Sequence, residues 1–196
     1  MRQLLARTEP IPREFFERPA DLLAPDLLGT VLVLGDKAGM LIETEAYLGL
    51  TDAAAHSARG MTKRTQVMFG PAGYAYVYLI YGIYECLNVV AEKVGIPHCV
   101  LVRALHPLVG LGKDSCSGPG KLTRAMGISR EHYGADLCAG PLQLRRWKRR
   151  PLKFGIEVTP RIGIRHNADW LMRFTIAHAQ SFLNGPLFAA ESDAGG

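Results

Sequence analysis

Cysteine is scarce in this chain of 196 residues, and the few present are not paired. Cys86, Cys99, Cys116 and Cys138 lie far apart, with no Cys-x-x-Cys spacing. Zinc sites and dithiol redox motifs use that spacing, so its absence argues against both. We expect free, mostly buried thiols.

Long apolar runs are also missing. The longest, such as 74–81 and 99–102, fall well short of the roughly 18–20 residues that span a bilayer. The first nine residues lack the apolar core and cleavage site of a secretory signal. These absences predict no transmembrane helix, no membrane partner and a cytoplasmic location.

The overall composition is that of a folded domain. Hydrophobic residues make up 48% and charged residues 21%, close to the globular average, which excludes a disordered chain or a solenoid as the first interpretation. The length fits one domain of about 100–200 residues. We therefore predict a single domain over 1–196, with a frayed polar tail near 188–196.

Positive charge is concentrated in one place. Residues 1–60 carry six basic and nine acidic side chains, whereas the whole chain has a net charge of +5. In the run 145–153, six of nine residues are basic. Such a patch is expected of a polyanion binder, although a solvated basic loop fits the charge equally well.

Residue patterning predicts a mixed fold. Alternation and turn residues predict strands, and apolar spacing predicts helices, in the following ranges. The strands are 30–34, 40–47, 74–80, 85–91, 99–104, 153–158 and 173–177, and the helices are 15–28 and 117–126. Hairpins join the first and second strand pairs, so we predict an α+β domain with an antiparallel core.

Two carboxylates stand two residues apart in one predicted strand. Glu43, Glu45 and Tyr47 therefore point to one face. One carboxylate could act as a general base toward water. Spacing alone fits ion-paired acids on a solvated sheet face more often than catalysis. A small-residue stretch, 49–57, follows and contains His56, which on its own would be a surface or core histidine.

Tyrosines mark the second predicted hairpin. Tyr74, Tyr76 and Tyr78 share a strand face, whereas Tyr81 has the opposite parity and precedes Gly82 near the tip. Such a stripe is usually sheet packing. Flat aromatic rings in a basic protein also stack on nucleobases, and one at a hairpin tip could wedge into a duplex.

Several ordered motifs together resemble the alkyladenine (3-methyladenine) DNA glycosylase family. They are Ile42-Glu43-Thr44-Glu45-Ala46-Tyr47-Leu48-Gly49, Asp52 to Ser57, Met68-Phe69, Tyr76 to Asn88, Val100 to Leu105 and Ser117 to Leu122. The similarity covers about 14–187. The basic run 145–153 departs from the family's pattern, and the segments 92–98 and 173–182 match it less clearly.

The resemblance implies a role for individual residues. It makes Glu45 the general base for a water held by Arg103 and the main-chain carbonyl of Ile162. A base pocket would be formed by Tyr47, Ala54, His56, Tyr78 and Asn88. Tyr81 would intercalate, Arg64 and Leu101 would contact DNA, and a phosphate patch is assigned to Arg145, Arg146, Lys148, Arg149 and Arg150.

The implied activity is excision of alkylated or deaminated purines flipped from double-stranded DNA. The resemblance implies 3-methyladenine, 7-methylguanine, hypoxanthine and etheno-adenine as substrates, with no metal, cofactor or lyase step. It further implies a curved, mostly antiparallel sheet with surrounding helices, whose protruding hairpin enters the minor groove. We also expect a monomer, which would associate with the nucleoid in a bacterium or lie in the nucleus of a eukaryote.

Two other classes compete with this interpretation. A carbohydrate glycosidase would use Glu43 and Glu45 as an acid/base pair, but two acids on one strand face do not flank a bond. A nucleic-acid-binding module would use only the tyrosines and the basic run, and it would have no use for a buried carboxylate at position 45.

Overall fold

The structure is a computed structural model that describes residues 1–112, 115–149 and 154–178. Its helices and strands are, in chain order, α1 (Arg2–Arg7), β1 (Thr8–Pro10), α2 (Ala20–Leu27), β2 (Val31–Leu34), β3 (Lys37–Tyr47), β4 (Ala75–Ile80), β5 (Tyr84–Ala91), β6 (His98–Val109), α3 (Pro119–Met126), β7 (Leu142–Trp147), β8 (Ile156–Thr159) and β9 (Arg173–Ile176). Short 3-10 helices cover Arg13–Phe15, Gly49–Thr51, His56–Arg59, Gln66–Phe69 and Arg130–His132.

All of the strands among the described residues join one antiparallel sheet. Its order is β1-β7-β2-β3-β6-β5-β4, while β9 pairs with β3 and β8 pairs with β9. The predicted α+β class with an antiparallel core is therefore confirmed. Within those same residues, no helix is long and apolar enough to cross a membrane.

Strand β3 is the centre of this arrangement. Along its full length it pairs with β6, and its other side pairs first with β2 and then with β9. The pairing with β6 shifts register between Leu41 and Thr44, which leaves Arg103 opposite no partner. Bulges of this kind re-aim side chains and are common beside active sites.

Both predicted hairpins are present. β2 and β3 are joined at Gly35 and Asp36, and β4 and β5 are joined by residues 81–83. The second turn has positive φ at Tyr81 (53°) and Gly82 (72°) and a bond from the Ile83 amide to the Ile80 carbonyl, as in a type I′ turn.

Other predicted bounds need correction. The first helix does not run over 15–28: Phe15 lies in a 3-10 helix, and α2 begins only after Pro19, which fixes its N-cap. β6 is longer than predicted, and β8 starts at Ile156 rather than 153. The elements α1, β1 and β7 were not predicted, and β7 takes in Arg145 and Arg146.

The core lies between the sheet and the helices. Leu23 and Leu27 of α2 pack with Leu41 of β3 in the main buried cluster, and Leu122 of α3 belongs to the same cluster. α3 is also tied to β5 by the Thr123 hydroxyl, which donates to the Glu85 carbonyl at 2.8 Å. This packing fixes the central strands that position the candidate site.

Candidate active site

A cavity of about 600 Å³ opens beside the central strands. It lies where β3, β4, β5 and β6 meet the start of α3 and the loop segments 53–56 and 162–166. Its lining residues are Tyr47, Ala53, Ala54, His56, Tyr76, Tyr78, Ile80, Tyr81, Tyr84, Cys86, Asn88, Cys99, Leu101, Arg103, Pro119, Gly120, Ile162, Gly163, Ile164, Arg165 and His166.

Strand register explains why these side chains converge. Glu45 of β3 lies opposite Leu101 of β6, Leu101 lies opposite Asn88 of β5, and Asn88 lies opposite Tyr76 of β4. Directly opposed residues in antiparallel strands share a sheet face. The register therefore places a carboxylate, an aliphatic residue, an amide and a phenol in one row across four strands.

Glu45 is completely buried and held from three sides. Its Oε1 accepts a bond from the Ile162 amide at 2.8 Å and lies 3.3 Å from Nη1 of Arg103. Its Oε2 accepts a bond from the Tyr47 hydroxyl at 2.9 Å. Burial and proximity to the carboxylate raise the pKa of Tyr47, so this hydroxyl stays a donor.

Glu43 and Glu45 share a face of β3, as predicted: one side chain, Arg103, contacts both carboxylates. The Arg103 Nε donates to Glu43 Oε1 at 2.9 Å, and Arg173 Nε donates to the same oxygen at 2.6 Å. Two carboxylates on one guanidinium cannot flank a glycosidic bond from opposite sides. This geometry speaks against the carbohydrate glycosidase. Arg173 was not singled out by the sequence.

Aromatic rings form one wall of the cavity. The ring centroids of Tyr76 and Tyr78 are 5.4 Å apart, and His56 meets Tyr78 edge-on at 4.5 Å. The Tyr76 hydroxyl lies 2.9 Å from His56 Nδ1. Burial raises the pKa of Tyr76 to about 12. The tyrosine stripe therefore serves both sheet packing and the cavity surface.

His56 is neutral in this environment. Desolvation of its ring, followed by the positive charge of Arg64, lowers the pKa of His56 to about 4. Its Nε2 lies 3.5 Å from the Arg64 guanidinium, which also sits 5.0 Å above the Tyr78 ring. A neutral imidazole offers the cavity a flat ring without a charge.

Asn88 is buried at the cavity floor. Its amide Nδ2 donates to the Tyr76 carbonyl at 3.2 Å, and its Oδ1 lies 3.8 Å from Cys99 Sγ. These contacts hold the side chain in one orientation. Leu101, next to it in the sheet, is also buried and lines the cavity.

Two loop segments are joined by a buried ion pair that sequence reasoning did not single out. Asp52 and Arg161 are both buried, and Arg161 donates to both Asp52 carboxylate oxygens. Asp52 also accepts a bond from the Ala54 amide at 3.1 Å. The two partners are 109 positions apart, so no local pattern could have paired them.

Tyr81 projects from the turn between β4 and β5, with its side chain 82% exposed. A left-handed conformation is uncommon for tyrosine, and glycine or asparagine suits it better. Ile83 beside it is also exposed. The tip therefore presents apolar surface where the turn alone would favour a small polar residue.

Arg64 and Tyr78 line a second cavity, of about 670 Å³. Lys63 and Arg130 line it as well. Arg130 pairs with Glu85 at 3.2 Å. Positive charge therefore adjoins the aromatic wall.

The basic run lies elsewhere. Its residues 145–147 belong to β7, five strand positions from β4, or about 24 Å at about 4.8 Å per strand. Arg145 donates to Thr8 Oγ1 at 2.9 Å, Arg146 pairs with Glu9 at 2.7 Å, and Lys148 Nζ donates to the Ala6 carbonyl at 2.8 Å. Arg150 lies outside the described residues.

All four cysteines are free, as predicted, and Cys138 is the least buried of them. In the part of the chain that the structure describes, no group of three or more His, Cys, Asp or Glu side chains is arranged to hold a metal ion.

Known proteins resemble this chain over most of its length. Residues 14–180 match the family model of methylpurine-DNA glycosylase. A Legionella pneumophila (strain Corby) protein named "Putative 3-methyladenine DNA glycosylase" is 48% identical over 173 residues, which cover 85% of this chain and 93% of the relative. Proteins of the same name from Myxococcus xanthus and Methanoculleus marisnigri are 42% and 48% identical, covering 90% and 84% of this chain and 94% and 93% of the relatives.

Proposed function

The chain belongs to the methylpurine-DNA glycosylase family, hydrolases of N-glycosidic bonds in damaged DNA, and we propose that Glu45 activates the water that releases the base. The substrates we propose are alkylated and deaminated purines: 3-methyladenine, 7-methylguanine, hypoxanthine and etheno-adenine. One observation carries the proposal: a fully buried carboxylate whose three donors belong to the rim of an aromatic cavity.

In the proposed reaction, Glu45 takes a proton from water while the remaining hydroxyl bonds to the sugar C1′. The bond between C1′ and the base nitrogen breaks, and its electron pair leaves with the base. The carboxylate also stabilises the positive charge that develops on the sugar. Arg103 and the Ile162 carbonyl would hold the water. Support for that position comes from the Ile162 amide, which already reaches Glu45.

The aromatic wall would receive the flipped purine. We propose that it stacks between Tyr47, Tyr78 and the neutral His56 ring, that the Ala54 side of the cavity borders it, and that the His56 amide contacts its edge. Asn88, held in one orientation by Tyr76, would clash with the exocyclic amine of guanine and reject it. Damaged pairs cost less to open, which adds selectivity.

DNA binding is assigned to the exposed hairpin. Tyr81 would occupy the stack vacated by the flipped base after the tip enters the minor groove. Arg64 and Leu101 would contact the adjoining strand. The phosphate patch 145–150 stays a prediction: Arg145, Arg146 and Lys148 already have protein partners, and this edge of the sheet is far from the tip.

The proposed enzyme is monofunctional and acts as a monomer. Lyase activity in glycosylases of the Schiff-base type needs an amine at the sugar. Among the described residues that line the cavity beside the central strands there is no lysine. Base release should therefore leave the DNA strand intact.

The test is release of free base from duplexes carrying one hypoxanthine or etheno-adenine, and from methylated DNA, with EDTA present. Wild type should release base, and Glu45→Gln should be slower by about 10²–10⁴-fold, because that is the usual contribution of a general base. Glu17→Gln, an exposed glutamate, is the matched control. Binding without release in all proteins would contradict the proposal and favour a recognition module.

A further inference from the structure

The loop that reaches Glu45 has almost no regular structure of its own. Residues 160–172 contain no helix or strand, and Ile162, Arg165 and His166 are exposed. Arg161 is the exception, since it is only 5% exposed. An irregular loop is positioned by its buried anchors, so Arg161 is the candidate anchor of this one.

Arg161 is bound on several sides. Its two terminal nitrogens donate to the two oxygens of Asp52, and Nη1 also donates to the Ala46 carbonyl at 3.0 Å. The guanidinium carbon lies 4.6 Å from the centre of the Tyr47 ring. One side chain therefore contacts the backbone of residue 46 and the ring of residue 47, directly after the proposed base.

Asp52 binds residues on the other side of the ion pair. It accepts bonds from the Leu48 amide at 3.2 Å, the Ala54 amide at 3.1 Å and Asn167 Nδ2 at 3.1 Å. Burial alone would raise the pKa of Asp52, but the hydrogen bonds and charge of Arg161, with the two amides, outweigh it and lower the pKa. The pair is therefore ionised and joins the cavity segment 53–56 to the loop 160–167.

The anchor is adjacent to the contact that matters for catalysis. Arg161 is followed by Ile162, whose amide donates to Glu45 Oε1 at 2.8 Å. A shift of the Arg161 backbone moves that amide with it, because only one peptide unit separates them. Glu45 would then lose one of its three orienting donors while keeping Arg103 and Tyr47.

We infer that the buried Asp52–Arg161 pair is a positioning device that sets the orientation of the Glu45 carboxylate through the Ile162 amide. This inference rests on the proposed function, since it concerns the rate of base release. Neither Asp52 nor Arg161 is among the residues that line the cavity. The pair acts on the rate of the hydrolytic step, with DNA affinity left to the hairpin and its surroundings.

The geometry demands arginine at position 161. A guanidinium presents its nitrogens in a planar fork that matches both carboxylate oxygens, whereas a lysine ammonium supplies one point of attachment. Arg161→Lys keeps the positive charge, but its rate of base release should still fall below that of wild type. Recovery of the full rate by Arg161→Lys would overturn the inference.

The test uses a double variant, Asp52→Asn with Arg161→Gln, which removes both charges so that neither is left buried without a partner. Folding is checked by thermal unfolding. Two quantities are then compared with wild type: the single-turnover rate of 7-methylguanine release and the affinity for an abasic duplex. The matched control is Asp26→Asn, because Asp26 pairs with Arg18 at 2.7 Å on the exposed surface.

We expect a rate about 100-fold lower with unchanged affinity, since small misplacements of a catalytic group cost this much. The same double change in a Glu45→Gln background should cause no further loss, because the pair acts through Glu45. The inference would be overturned if the double change slowed release equally in the Glu45→Gln background. It would also be overturned if the double variant lost affinity in parallel with rate, or if its rate did not fall at all. Absence of release by wild type would instead contradict the proposed function.

Discussion

Tyr76 and Tyr81 stand five residues apart on one hairpin, yet their surroundings are opposite. Tyr76 is 1% exposed and bonded to His56, whereas Tyr81 is 82% exposed on a turn that does not favour tyrosine. The base of the hairpin belongs to the aromatic wall, which is fixed by ring contacts and by the bond between Tyr76 and His56. Its tip is shaped by the turn, in which the Ile83 amide bonds to the Ile80 carbonyl. The fold therefore separates a packed cavity, the candidate active site, from an exposed hairpin tip, the element that we propose binds DNA.

The largest effect on stability should come from removing one partner of the buried ion pair between Asp52 and Arg161. Arg161→Leu leaves Asp52 buried without its partner, and we expect the free energy of unfolding to fall by about 3–5 kcal/mol. Urea unfolding measures it. Arg165→Leu, an exposed arginine of the same loop, should change stability by less than about 0.5 kcal/mol. Equal effects of the two changes would show that the loop has no special anchor.

At the hairpin tip, a substitution should raise the stability of the protein rather than lower it. Tyr81→Asn places a residue that tolerates positive φ at a position with φ of 53°, so the free energy of unfolding should rise by about 0.5–1 kcal/mol. Affinity for an abasic duplex should nevertheless weaken by about 1–3 kcal/mol, the usual contribution of one stacked aromatic. Fluorescence anisotropy measures the affinity. An unchanged affinity would remove Tyr81 from the DNA interface.

Asn88, which lines the cavity, should determine the selectivity between guanine and hypoxanthine. Asn88→Ala removes the side chain that we propose clashes with the guanine amine. The release of guanine relative to hypoxanthine should then rise on the order of tenfold. Competition between two labelled duplexes measures this ratio. A ratio unaffected by the substitution would mean that guanine is rejected elsewhere in the cavity.

The smallest effect should be the pH dependence due to His56. Its pKa is lowered from 6.5 to about 4 in the folded protein, so between these pH values the unfolded chain binds a proton that the folded chain does not. Stability from this group is therefore full above pH 6.5 and is lost as the pH falls toward 4. Because the ring is partly exposed, we expect about 1 kcal/mol or less. Unfolding of wild type and His56→Gln across this pH range tests it, and parallel curves would contradict it.

Local pattern predicted the two hairpins because alternation and turn residues are properties of neighbouring positions. The same signal was present in β7, where Leu142 and Leu144 are buried and Gln143 and Arg145 are less so, but the basic run hid it. β1 is only three residues long and ends in proline. β1 is therefore recognisable only through β7, the strand that it pairs with.

The residues of the candidate site also fall into two groups, those that the sequence could predict and those that it could not. Glu45 and Tyr47 could be placed on one face from spacing alone, and the family resemblance supplied the other predicted residues, most of which the structure gathers around one cavity. The pair Asp52–Arg161 and the contact from Arg173 to Glu43 could not be found this way. They join residues more than a hundred positions apart, and tertiary folding alone brings them together.

The most direct test of the account measures the single-turnover rate and the abasic-DNA affinity for Glu45→Gln and Tyr81→Asn side by side. Gln at position 45 still accepts a bond from Ile162 or Tyr47, and Arg103 keeps Glu43, so the fold should be retained. The account predicts that Glu45→Gln binds normally and loses base release, whereas Tyr81→Asn binds weakly and releases base at the wild-type rate once saturated. Normal base release by Glu45→Gln would contradict it.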